Sequence, residues 1–85
     1  MARVIPFSAL RPGMTVWLEW RGSPHLLRME IVERKSETSV RARMEAEMFN
    51  DPQTVREQIG RRVWDERPTR EESEGTSWDA DQISL

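Results

Sequence analysis

Residues 12–20, Pro-Gly-Met-Thr-Val-Trp-Leu-Glu-Trp, join a turn signal to an alternating strand pattern. Proline presets φ at the first central position of a type II turn, and the following glycine accepts the positive φ of the second. Beyond the turn, Val16, Leu18 and Trp20 share one face of an extended chain, with Trp17 on the other. The stretch therefore predicts a β-strand with one apolar face.

A second strand is predicted downstream, beyond the turn at residues 21–25. Leu26–Arg34 places Leu27, Met29 and Ile31 on its inward face and charged side chains on its outward face. A polar turn at residues 35–37 then leads into another alternating segment.

Residues 38–48 carry the most regular alternation. Their apolar side chains, at every second position, are Val40, Ala42, Met44, Ala46 and Met48. A helix is the rival interpretation, because Ala, Met, Glu and Arg are good helix formers. An i, i+2 spacing advances ~200° around a helix and would scatter these side chains, whereas a strand gathers them on one side. The pattern favours a strand.

Two short helical segments are predicted in the second half of the chain. Asp51 can cap a helix with proline at its first position, and Gly60 can end it. Residues 61–64 form a short fourth strand. Thr69 and Glu72 have the spacing of a capping box, so a last helix begins at Thr69 and ends at Gly75.

These elements favour a mainly β fold. The prediction is a small SH3-like barrel of four to five short strands with one or two short helical turns. A helix-capped antiparallel sheet is the runner-up. The expected organisation is a single SH3-like domain over residues 1–78 and an acidic C-terminal tail over 79–85, with Trp78 folded back onto the barrel.

Two segments also resemble known proteins. Leu10–Trp17 is similar to the opening of many small SH3-like proteins, where a Pro-Gly turn leads into the first barrel strand. Trp64–Thr69, followed by Trp78, resembles the C-terminal segment of small uncharacterised SH3-like barrel proteins encoded by phages and mobile elements of gut Firmicutes. The resemblance covers about a third of the chain. It implies the fold and a phage or mobile-element setting, and it implies no activity.

Composition argues against catalysis and against a bound metal or cofactor. The 85 residues include no Cys, no Tyr and a single His, and His25 lies in a predicted turn without an obvious partner. The acids Asp79 and Asp81 lack the glycine and closing glutamate of a Ca²⁺ loop. No signal peptide and no apolar run of ~20 residues is present, so a cytoplasmic location without membrane association is expected.

Charge is unevenly distributed along the chain. Residues 71–85 hold five acids and no base, which leaves 13 bases against 10 acids in residues 1–70, and all the bases except Lys35 are arginine. Codon usage explains this bias most simply, and a need for bidentate contacts to phosphate or carboxylate is the alternative.

The candidate functional feature is an interaction surface that combines arginine and tryptophan. Its predicted members are Trp17, Arg28, Arg41, Arg43, Arg62, Trp64 and Arg67. The favoured function is a non-enzymatic module that binds an unidentified protein partner or a second copy of itself. The alternative is a nucleic-acid-binding accessory protein that uses the arginine and tryptophan face. Trp17 is expected to be covered by the C-terminal helix or by a second copy of the protein, and an exposed Trp17 would mark an interaction patch.

Overall fold

A computed structural model describes residues 1–21, 23, 25–45, 51–58 and 60–76. Within them, the strands are β1 Val4–Ile5, β2 Thr15–Trp20, β3 Leu26–Ser36, β4 Ser39–Met44, β5 Gln53–Arg56 and β6 Arg61–Trp64. A 3₁₀ turn at Phe7–Ala9 follows β1, and the helix α1, Arg70–Gly75, follows β6. The protein is therefore mainly β, with one short helix in the described part of the chain.

The strands form one antiparallel sheet in the order β1-β6-β2-β3-β4-β5. From β2 to β5, strands that are consecutive in the chain are neighbours in the sheet. The last strand, β6, then returns to lie beside β2. This return places β6 next to the strand that the Pro-Gly turn starts.

The hydrophobic core lies on a single face of this sheet. Its buried side chains come from five strands and from the first loop, which joins β1 to β2. They are Phe7, Leu10, Val16, Leu18, Met29, Ile31, Val40, Ala42, Val55 and Val63. Trp20, Leu27 and Met44 pack against them while half-buried. Every inward position predicted for the first two strands is confirmed, as are Val40, Ala42 and Met44 in the third. Ala46 and Met48 lie outside the described residues.

The turn before β2 has the predicted conformation. Gly13 has a φ of +93°, and the N–H of Met14 donates to the carbonyl of Arg11 at 3.2 Å. A residue with a Cβ would be strained at this φ. The glycine therefore sets the direction in which β2 leaves the loop.

The helix predicted after Asp51 is wrong. Residues 53–56 form strand β5, which pairs with β4 and places Val55 opposite Val40 in the core. Asp-Pro and Thr-x-x-Glu are local helix signals, but pairing with β4 buries Val55 and satisfies the backbone of both strands. Gly60, expected to end the helix, instead forms the turn into β6 with a φ of +87°.

The predicted last strand and last helix are confirmed. Thr69 caps α1: its hydroxyl accepts from the N–H of Glu72, and the Glu72 carboxylate accepts from the N–H of Thr69. No residue of α1 is buried, so apolar packing does not hold the helix on the sheet. Trp78 and the acidic segment 79–85 lie outside the described residues.

The 3₁₀ turn is attached to the sheet by Arg34, near the end of β3. The guanidinium donates to the carbonyls of Phe7 at 2.7 Å and Leu10 at 2.9 Å, and to those of Ser36 and Glu37. It also lies 5.7 Å from the centre of the Phe7 ring. Arg34 thus holds the first loop over the apolar face, where Phe7 and Leu10 cover the core.

Candidate interaction surfaces

A buried polar network lies on the sheet face opposite the core. Arg62 and Trp64 of β6 are paired across the strands with Glu19 and Trp17 of β2, so all four side chains share that face. The carboxylate of Glu19 accepts from Arg62 Nε at 2.8 Å and from the Trp64 indole N–H at 3.0 Å. Arg62 is 0% exposed and Trp64 is 1% exposed. A fully buried charge is tolerated here because it is paired and hydrogen-bonded.

Helix α1 covers this network through hydrogen bonds. Arg62 donates to the carbonyl of Thr76 at 2.6 Å and to that of Ser73 at 2.7 Å, while the Ser73 hydroxyl donates to Glu19. At the other side of the helix, Glu72 accepts from the N–H of Ala2 at 2.8 Å. The helix is therefore attached to the sheet by charge-assisted hydrogen bonds, which are stronger than neutral ones.

The predicted arginine and tryptophan surface is therefore not continuous, because some of its residues are buried and others are exposed. Arg62 and Trp64 were expected on an exposed face, and that placement is corrected: α1 covers them, and the guanidinium is used internally. The sequence predicted α1 but not the face on which it docks. Trp17 lies beside Trp64 and remains half-buried.

The other predicted arginines remain on the surface in two separate places. Arg28, Arg41 and Arg43 are exposed on the outer face of β3 and β4, with Arg28 directly across from Trp17. Their side chains form no hydrogen bond or ion pair within the described residues. Arg67 is exposed in the segment between β6 and α1. The structure therefore brings Trp17 and Arg28 together and separates Arg67 from them.

The outer face of β3 and β4 carries both positively and negatively charged side chains. A shallow depression of about 180 Å³ on it is lined by Arg28, Glu30, Arg43, Met44 and Glu45. Glu30 lies directly across from Arg43 in the register, yet the two form no ion pair. This face therefore presents unpaired cations and unpaired carboxylates side by side.

An open groove of about 780 Å³ lies between the β2–β3 hairpin and the C-terminal segment. The described residues that line it are Glu19, Trp20, Ser23, Leu26, Arg67, Pro68, Thr69, Arg70, Ser73 and Glu74. The first four belong to the hairpin side, and the others belong to the segment that ends in α1. The capping box fixes this second wall, because it sets the direction in which α1 starts.

Trp20 is the largest apolar group in the groove, and it contacts a cation. The guanidinium of Arg61 lies 5.0 Å from the centre of the Trp20 ring. The Arg61 Nε is buried and has no hydrogen-bond partner among the described residues, and burial lowers the pKa of this guanidinium from its ordinary value. Stacking on the ring gives the cation a favourable contact where it has lost water.

Trp20 was predicted as an inward-facing residue and Leu26 only as the start of the second strand, so their role in lining a groove was missed. They lie at the two ends of the β2–β3 turn, where the paired strands end, and both side chains are only half-buried. A tryptophan at the last position of an apolar strand face is the signal that could have identified them.

Other candidate chemistry receives no support from the geometry. His25 is exposed in the turn between β2 and β3, as predicted, and its backbone N–H donates to the Ser23 hydroxyl at 3.2 Å. Among the described residues, no three His, Cys, Asp or Glu side chains are grouped to hold a metal ion. In the same part of the chain, no helix has the length and apolar character required to cross a membrane.

No family model matches the chain, and neither a curated protein nor a solved structure matches it. Its surfaces are interpreted below from their own geometry.

Proposed function

We propose that this protein is a non-enzymatic protein-interaction module built on a small SH3-like barrel. The observation that carries the proposal is the groove beside Trp20, which combines apolar surface with Arg67, a cation that forms no ion pair with any described residue. Binding sites are typically concave, with apolar linings and a few polar groups that fix orientation. The groove falls within the size range of such sites.

The distribution of the core supports a curved, barrel-like sheet. Core side chains from β2 to β6 are almost completely buried, although in the described residues only the first loop covers their face. A flat sheet would leave that face open to water. Strand β3 has register shifts after Ile31 and after Arg34, and such irregularities bend a strand and increase its twist. A sheet that curls over its own apolar face accounts for both observations.

The side-chain composition of the protein supports a binding role over a catalytic one. It has a single imidazole, which is exposed, and it has no thiol and no phenol. The resemblance of residues 64–69, followed by Trp78, to phage and mobile-element proteins supports a role in the cytoplasm of a bacterium that carries such an element.

Selection from a random peptide library tests the proposed function. The full chain would be immobilised and panned against phage-displayed dodecapeptides, with an unrelated acidic protein as the control target. We expect a convergent family of peptides that binds the chain in solution with a micromolar Kd. A selection that enriches the same peptides on both targets, or none, would overturn the proposal.

The outer face of β2–β4 supports a second candidate, a nucleic-acid-binding accessory protein. Trp17 is half-buried beside Arg28, and the guanidinium groups of Arg41 and Arg43 on the same face bond to no described residue. Arginine with an aromatic ring can hold phosphates and stacked bases. The interleaved Glu30 and Glu45 oppose this role, which places it second.

Fluorescence anisotropy with labelled single-stranded and duplex DNA tests this alternative. Binding through phosphates would weaken steeply between about 50 and 200 mM salt, because counterions are released. Arg28→Glu would then weaken binding, and Arg67→Glu would serve as the control away from the face. An unchanged signal with both DNAs at low salt would eliminate the alternative.

A further inference from the structure

We infer that the groove beside Trp20 takes an extended acidic peptide segment of a partner protein, in which carboxylates alternate with apolar side chains. The inference rests on the proposed function and names its partner class. It follows from hydrogen-bonding capacity, charge and apolar surface, taken in turn.

The groove has more free hydrogen-bond donors than acceptors. Arg67 makes no hydrogen bond or ion pair in the described part of the chain, so its five N–H donors are available. The indole N–H of Trp20 likewise has no partner there. In contrast, both oxygens of Glu19 already accept hydrogen bonds, from Arg62, Trp64 and Ser73. A ligand rich in acceptors, such as carboxylates and backbone carbonyls, fits this imbalance.

The hydroxyl groups of the lining are also engaged. The Thr69 oxygen accepts from the N–H of Glu72, and the Ser73 hydroxyl donates to Glu19. Ser23 accepts from the N–H of His25. They therefore do little to offset the excess of donors.

The charged side chains that line the groove also favour an acidic ligand. Glu19 is neutralised by Arg62 at 2.7 Å, which leaves Arg67, Arg70 and Glu74 as the charges among the described residues that line the groove. Arg70 and Glu74 form an i, i+4 pair, but their side chains are 90% and 67% exposed, and such pairs contribute little. An incoming carboxylate can displace Glu74 from Arg70 and bind Arg67 as well. The groove is thus net cationic, although the whole chain carries a charge of −2.

The apolar part of the groove sets the second requirement. Trp20 and Leu26 are half-buried on the hairpin side, and Pro68 forms part of the opposite wall. Apolar side chains of a ligand would cover this surface and remove it from water. A peptide that alternates acidic and apolar residues in an extended conformation presents the two kinds of side chain in opposite directions.

Three synthetic peptide pools test the inference on the full chain. Each is a fluorescein-labelled nonapeptide pool that alternates Leu, Trp or Phe with a second residue. The second residue is Asp or Glu in the first pool, Asn or Gln in the second, and Lys or Arg in the third. Affinity is measured by anisotropy, and the indole N–H resonance of Trp20, assigned with Trp20→Phe, reports on the groove.

We expect the acidic pool to bind about tenfold more tightly than the amide pool and to shift the Trp20 resonance. Arg67→Glu should weaken the acidic pool by about tenfold or more, because it reverses the free charge on the wall. Arg56→Glu, a charge reversal at an exposed position of β5 that lines neither proposed site, is the matched control and should change affinity less than about twofold.

Three results would each overturn the inference. They are equal binding of the acidic and amide pools, tightest binding of the basic pool, and equal effects of Arg67→Glu and Arg56→Glu. The peptide-library selection shows whether such a result overturns only the inference about the groove or the proposed function as well. If the library yields specific binders that leave the Trp20 resonance unchanged, the module binds peptides elsewhere and only the groove assignment fails.

Discussion

The side chain of Arg62 links β6, β2 and α1 within one buried cluster. Its guanidinium meets the Glu19 carboxylate on the sheet and the carbonyls of Ser73 and Thr76 in the C-terminal segment. A guanidinium offers five donors in a planar arrangement, whereas a lysine ammonium has three on a point charge. The position therefore requires arginine for its geometry as well as its charge.

Glu19→Gln removes the carboxylate charge that pairs with the buried Arg62 guanidinium. Loss of one partner of a buried pair costs about 3–5 kcal/mol, so we expect a loss of about 3 kcal/mol in the free energy of unfolding. Urea denaturation followed by tryptophan fluorescence measures it. The paired variant Glu19→Leu with Arg62→Met should recover more than half of the loss. A single variant that loses less than about 1 kcal/mol would contradict the role of the pair.

The carboxylate of Glu72 predicts a specific acid sensitivity. Hydrogen bonds from the backbone of Thr69, and then of Ala2, hold the pKa of Glu72 below its ordinary value. The unfolded chain takes up this proton at a higher pH than the folded chain. The resulting stability is present above the unfolded pKa and is lost as the pH falls through the lower folded pKa.

Glu72→Gln should therefore reduce the difference in Tm between neutral pH and about pH 3, since glutamine retains the capping box but does not titrate. Glu71→Gln is the control, because Glu71 is exposed in the same turn and makes no side-chain hydrogen bond in the described residues. Equal pH profiles for the two variants would argue against the Glu72 contacts.

Among the elements, the first loop and α1 are both fastened by arginine. Arg34→Lys keeps the charge but cannot reach the carbonyls of Phe7, Leu10, Ser36 and Glu37 together. We expect a loss of about 1–2 kcal/mol and faster amide exchange at Leu10, whose N–H donates to Phe7 at 3.2 Å. Arg41→Lys on the outer face is the control and should stay within about 0.5 kcal/mol. Similar losses in both variants would contradict the attachment.

Helix α1 should open independently of the sheet, because it buries no side chain of its own. Thr69→Ala removes the N-cap, which is typically worth about 1 kcal/mol. We expect faster exchange of the Ser73 N–H, which bonds to the Thr69 carbonyl at 3.0 Å, with little change in β3 and β4. Thr38→Ala, at an exposed turn, is the control. Uniform acceleration across the sheet would show that α1 and the sheet unfold together.

Elements with strong local patterns were predictable from sequence, and elements defined by their neighbours were not. Alternation identified β2, β3 and β4, the short strand β6 was predicted after Gly60, and the capping box located α1 to the residue. Strand β5 was missed because the signals around Asp51 and Pro52 favour a helix locally, while the benefit of pairing Val55 with Val40 is visible only in the folded sheet. Strand β1, two residues long, gives no periodic signal at all.

The candidate site was predictable only in part, for the same reason. Arginine and tryptophan were the right residue types, but alternation assigns a side chain to a face without indicating what covers that face. Helix α1 covers Arg62 and Trp64, and the groove arises where Trp20 and Arg67, 47 positions apart, come to line the same space. No local pattern in the sequence predicts that juxtaposition.

At the scale of the molecule, one apolar face stabilises the whole sheet. Ile31 is 1% exposed in β3, next to the bend, and Ile31→Ala should cost about 2–5 kcal/mol. Unfolding curves from fluorescence and far-UV circular dichroism should remain coincident, as expected of a single cooperative unit. Val32→Ala is the adjacent control, since Val32 is 39% exposed and should change stability by less than about 0.5 kcal/mol. Equal losses in the two variants would contradict this position of the core.

The two arginine attachments also bear on the cationic composition of the chain, in which Lys35 is the single lysine among 13 basic residues. Arg34 and Arg62 hold the 3₁₀ turn and α1 by donating to several backbone carbonyls at once. A chain rewritten with lysine at every arginine position would keep its net charge and its apolar face. It would lose the hydrogen bonds that hold both segments on the sheet. At these two positions the guanidinium group is therefore required by the fold, whatever the codon preference of the genome.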